Sequence, residues 1–89
     1  PFGPDNPQPV FYSSDLFVSK HKVFGKNHVS LEVREEQEGI SLLGKAWSQA
    51  EALGSEVKGR SIQLAFTPRL NNYRGLASID LDIRDWRLA

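Results

Sequence analysis

Cysteine and methionine are both absent from these 89 residues. Without Cys there is neither a disulfide framework nor a thiolate zinc site, so zinc ribbons are excluded and a reducing compartment is permitted. The chain opens at Pro1 rather than Met, on a Pro-rich stretch, and is expected to be an excised piece of a longer protein. No apolar run approaches the roughly 18 residues of a transmembrane helix, and the N-terminus lacks a basic-then-apolar signal pattern, so a soluble, cytoplasmic chain is expected. The most telling absence is local. Eleven Lys/Arg balance eleven Asp/Glu, yet no acid occurs between Asp15 and Glu32 or between Glu56 and Asp80. The first window holds Lys20, Lys22, Lys26, His21 and His28, the second Lys58, Arg60, Arg69 and Arg74. A neutral protein with its positive charge in two segments presents one basic surface if the fold brings them together.

A chain of this length forms one domain at most and buries roughly 60 to 65% of its unfolded surface, enough for one small barrel or sandwich. Pro1 to Phe11 carry four Pro and one Gly, a composition that prevents helix and reads as a linker from a preceding domain over residues 1–13, ahead of a domain at 14–89. Phe2 and Phe11 are apolar anchors that favour an ordered linker over a disordered tail.

From Leu16 onward the hydrophobic period is two. Val29, Leu31 and Val33 alternate with polar residues, as do Ile62, Leu64 and Phe66, then Ile79, Leu81 and Ile83, and these nine residues are the predicted core. Leu16 and Val18 share one parity and Val23 the other, which predicts a bulge or bend near Lys20. A third strand runs from Ile40 to Ala46, with Gly44 permitting sharp coiling. Ser48 is placed to cap a short helix through Gln49 to Leu53, stopped by Gly54. The predicted order β-β-β-α-β-β, with turns at Gly25–Asn27 and Glu36–Gly39, is that of an all-β five-stranded Greek-key OB-fold barrel with one short helix between strands 3 and 4. A small β-sandwich with a helical insertion shares the pattern.

In an OB-fold the turn between strands 1 and 2 and the loop between strands 4 and 5 flank one ligand-binding face. The two acid-free windows map to those loops. A single-strand site needs cations along the phosphates, which Lys20, Lys22, Lys26, Arg69 and Arg74 could supply. It also needs flat side chains for stacking, for which Tyr73 is the first candidate and His28 and Phe24 the weaker ones. The amides of Asn71 and Asn72 suit a tight turn and could also donate to phosphates or base edges. Each has a plain reading: strand lysines are solvated, the two Asn serve the turn, Tyr73 folds over the barrel end, and Trp47 and Trp86 close it. Glu35, Glu36 and Glu38 form a solvated acidic turn expected away from the site.

Catalysis finds little support. No nucleophile-elbow, phosphate-cradling glycine loop or paired-His motif occurs, and no enzyme activity is expected of this fragment. Two His without Cys do not argue for metal, and Asp80 and Asp82 read as solvent-facing strand neighbours.

Pro1 to Phe11, Gly25 to Leu31, Leu64 to Thr67 with Asn71 to Gly75, and Ile83 to Asp85 together resemble stretches of RecJ-type single-strand-specific exonucleases. Pro1 to Phe11 resembles the family's P-F-G-x-G-N-P-x-P-x-F segment, which leads out of the preceding substrate-binding domain. Gly25 to Leu31 resembles G-K-x-H-L-K-L, Leu64 to Thr67 with Asn71 to Gly75 resembles the fourth strand and its N-x-[WY]-x-G turn, and Ile83–Asp85 resembles the closing strand. Asp5, Ser30 and Asp80 depart from the pattern, where the family tends to have Gly, Lys and Gln. The resemblance implies the OB domain of an enzyme that degrades single-stranded DNA from the 5′ end in recombination and repair. It implies Mn²⁺ or Mg²⁺ held in a separate DHH domain, and no cofactor in this piece. The implied partners are single-stranded DNA and the parent's other domains, with no membrane and a monomeric fragment. Carried over by position, Lys26, His28, Asn71, Tyr73 and Arg74 become the implied DNA contacts. A docking module that barely touches DNA is the competing expectation.

Overall fold

A computed structural model describes residues 8–35, 39–73 and 75–89, with Tyr73 described by its backbone alone. Six strands form one sheet: β1 (Phe11–Tyr12), β2 (Leu16–Phe24), β3 (His28–Arg34), β4 (Ser41–Ala46), β5 (Ser61–Tyr73) and β6 (Leu76–Leu88). The five long strands close into a ring. β2 pairs with β3, β3 with β4, β4 in parallel with β6, β6 with β5, and β5 back with β2 through Leu16 opposite Ile62. β1 lies outside the ring, adding to β5 with Phe11 opposite Phe66, and those two rings pack 6.2 Å apart.

Alternation decides what lies inside. Val29, Leu31, Val33, Ile62, Leu64, Leu81 and Ile83 are buried as expected, joined by Leu16, Val18, Ala46, Leu53 and Val57. Ser19 is the extra residue of a bulge between Val18 and Lys20, which reverses the parity of β2 where the sequence requires it. Its hydroxyl donates to the backbone carbonyl and the carboxylate of Glu32. Two core expectations need correction. Phe66 is only half-buried, and Ile79 is 54% exposed. β4 pairs with β6 only over Asp80–Asp82, so the outer end of the β5–β6 hairpin, where Ile79 faces Leu70, projects past the barrel body.

The expected helix is also corrected. Residues 47–60 form turns and a single 3₁₀ helix at Ser55–Val57. Leu53 N–H bonds the Gln49 carbonyl, one helical turn that goes no further. Tertiary bonds take three further groups: Ala50 N–H goes to the Asn27 carbonyl, the Leu53 carbonyl accepts from His21 Nε2, and Ser48 sits at φ +60° with its N–H on His28. A six-residue stretch gains too little from its own ladder to outweigh these. What survives of the pattern is its apolar side, because Leu53 and Val57 are buried in the core.

Gly44 packs closely against the side chain of Ile83. A Cβ there would lie 2.9 Å from Ile83 Cδ1 on the parallel neighbour β6. Among the described residues no helix is long and apolar enough to cross a membrane.

Candidate nucleic-acid interface

The strand registers lay the outward side chains of the barrel in three rows. Lys20 on β2 faces Glu32 on β3, then Leu43 on β4, Asp80 on β6 and Arg69 on β5. The second row runs Lys22, Ser30, Lys45, Asp82, Thr67. The third sets Phe24 opposite His28, with Trp47 following β4 beside them. The Gly25–Asn27 turn lies beyond the third row and the β5–β6 hairpin tip beyond the first, so the two acid-free windows flank one face at its opposite ends.

That face is not uniformly basic. Asp80 and Asp82, expected to face solvent, are 7% and 6% exposed. Longer side chains cover them. Asp82 Oδ2 pairs with Arg69 at 3.1 Å and its Oδ1 accepts from Trp47 Nε1 at 3.3 Å. Asp80 Oδ2 accepts from Asn71 Nδ2 at 2.6 Å and lies 3.9 Å from Lys45 Nζ. No buried side-chain nitrogen or oxygen among the described residues lacks a partner, so the acids sit in a satisfied network rather than as stray buried charges. Lys20 Nζ stands 3.7 Å from Glu32 on the same face, an exposed and weak pair.

The sequence candidates therefore separate. Lys22 and Lys26 are exposed and form no ion pair among the described residues. Lys20, Arg69 and Asn71 are engaged with acids of the face. Asn71 and Asn72, expected in the turn, lie in β5 opposite Ser78 and Ala77, and Gly75, ahead of β6, sits at φ +78°. Asn72 is exposed. The Tyr73 side chain, Arg74, Glu36, Glu38 and the linker through Pro7 lie outside the described residues.

His28 sits between Phe24 and Trp47, with ring centroids 5.4 Å and 5.1 Å away, and Phe24 and Trp47 are edge to face at 5.5 Å. Its Nδ1 accepts the Ser48 N–H at 2.9 Å, which fixes the ring and leaves the hydrogen of neutral imidazole on Nε2. Gly25, at φ +60°, packs so near that a Cβ would fall 2.9 Å from His28 Cδ2. Trp47, expected to close the barrel end, is 42% exposed on the outer face; Trp86 packs against the core. Sequence reasoning missed Trp47 because it follows the last residue of β4. Its parity with Lys45 and Leu43, both outward, was the signal.

A ring of five strands in this pairing order, with two hairpins flanking one outward face, is an OB-fold. The family model described as the RecJ OB domain matches residues 1–85, and the chain belongs to that family. No curated protein and no solved structure matches it.

Proposed function

We propose that this chain is the single-stranded-DNA-binding domain of a RecJ-type 5′–3′ exonuclease acting in recombination and repair in the cytoplasm. The observation that carries the reading is the Phe24–His28–Trp47 cluster on the OB face, with Trp47 exposed and Phe24 and His28 half-buried beneath it, beside the exposed Lys22 and Lys26. Aromatic rings offer every base a stacking partner whatever the sequence, and neighbouring lysines hold the phosphates. In this reading the domain, itself a monomer, captures and guides the strand while the parent's other domains perform cleavage.

The Mn²⁺ or Mg²⁺ such cleavage requires belongs to a DHH domain outside these 89 residues. The residues described here do not fit that role: no group of three or more His, Asp or Glu gathers among them, and the paired acids Asp80 and Asp82 are taken by Lys45, Asn71, Arg69 and Trp47. Fluorescence anisotropy of a labelled oligo-dT at several salt concentrations tests the reading. Binding that weakens steeply with salt supports it, and no binding at low salt contradicts it.

One observation favours docking as a second role. Ile40, Leu42, Leu70 and Ile79 are exposed. The register that sets Leu43 opposite Asp80 puts Leu42 next to Ile79 at the end of the barrel away from the aromatic cluster. An apolar surface of this kind suits contact with another domain of the parent.

A further inference from the structure

Resting on the strand-binding reading, we propose that Asp80 and Asp82 limit the affinity of the OB face by holding two of its own cations, so that a bound strand must compete with the protein's carboxylates for Arg69 and Lys45. The geometry has three parts. Arg69 reaches diagonally from its register partner Asp80 to Asp82, closing to 3.1 Å, and remains more than half exposed, so its outer side stays accessible to a ligand phosphate. Lys45, in the middle of the face, is drawn the other way to Asp80. The carboxylates beneath them are almost fully covered. Arg69 is thus at the surface and Lys45 half-buried, while the counter-charge of each is covered.

A phosphate approaching Arg69 or Lys45 meets a cation already neutralised and a buried negative charge a few ångströms below. Coulomb repulsion from a covered carboxylate is screened less than that from an exposed one. The β5–β6 side of the face is therefore poor in phosphate attraction, and the strand is left with Lys22, Lys26 and the aromatic cluster. Few phosphate contacts mean fast release, which suits a domain that must let a strand advance through it.

The test compares the wild-type domain with Asp80→Asn, Asp82→Asn and the double variant, each shape-conserving, by oligo-dT anisotropy across a salt series. Freeing Arg69 and Lys45 is expected to tighten low-salt binding by roughly tenfold in the double variant and to steepen the salt slope by about 0.7 for each released cation. Adding Arg69→Ala to Asp82→Asn should abolish that variant's gain, a dependence that a purely structural role of Asp82 would not produce. Circular dichroism melts establish that each variant folds. Should the Asn variants unfold, Arg69→Gln in the otherwise wild-type domain carries the test: a cation already held by Asp82 should flatten the salt slope clearly less than the about 0.7 lost with Lys22→Ala or Lys26→Ala, and an equal loss would overturn the inference. Folded variants that bind no more tightly than a wild type that does bind would overturn the inference alone. Absence of salt-dependent binding in wild type and variants alike would overturn the strand-binding reading, and this inference with it.

Discussion

Trp47 and Asp82, 35 residues apart in sequence, meet at 3.3 Å, with the indole Nε1 donating to the carboxylate Oδ1. This contact joins the aromatic cluster to the buried acids, because the same carboxylate holds Arg69 through its other oxygen. Trp47→Phe keeps an aromatic ring, though a smaller one, and removes the donor, leaving Oδ1 short of a partner. A loss of roughly 1 to 3 kcal/mol is expected in urea denaturation. An unchanged midpoint would mean that water replaces the indole without penalty.

Gly44 and Ile83 form a second coupled pair. Gly44→Ala drives a methyl to 2.9 Å from Ile83 Cδ1 and is expected to cost about 1 to 3 kcal/mol. Ile83→Val removes that Cδ1. In the double variant the two losses should fall short of additive, measured as a coupling of at least about 0.5 kcal/mol by chemical denaturation.

The connection from Trp47 to Arg60 gives two opposite expectations. Leu53→Ala empties a fully buried site and should cost about 2 to 5 kcal/mol. Ala52→Gly, at an exposed turn position, should change stability by less than about 0.5 kcal/mol. A helix through Gln49 to Leu53 would instead lose close to 1 kcal/mol at that position. Thermal or urea melts of the two variants distinguish these cases.

Stacking and charge should separate in binding assays. Trp47→Ala is expected to weaken oligonucleotide binding by about 1 to 3 kcal/mol with an unchanged salt slope, since stacking releases no counterion. Lys22→Ala or Lys26→Ala should instead flatten the slope by about 0.7. Tyr73→Ala, the first stacking candidate in the sequence, is expected to behave as Trp47→Ala does.

Much of the barrel was legible because strand period fixes which face is buried: the parity change between Val18 and Val23 located the Ser19 bulge, and alternation fixed the core of β3. The same rule misled at Ile79, Asp80 and Asp82. Parity states only which side of a strand a residue faces. It does not state that Ile79 lies beyond the end of β4, nor that Lys45, Arg69 and Trp47 fold over the acids. The 47–60 connection carried a helical pattern whose apolar half is real, but its polar groups found partners in Asn27, His21 and His28, which are distant in sequence. The windows free of acids do come to flank one face of the barrel. Charge balance across that face depends on which strands become neighbours, information held in the closure of β4 against β6 and invisible in any one segment.

The most direct measurement is a ¹H–¹⁵N chemical-shift titration of the domain with a short single-stranded oligonucleotide. Strand binding at the aromatic cluster predicts that the largest perturbations fall on the Trp47 indole and the backbone amides of Lys22, Phe24, Lys26 and His28, with Ile40, Leu42 and Leu70 unaffected. Perturbations confined to that apolar end, or none at low salt, would contradict it.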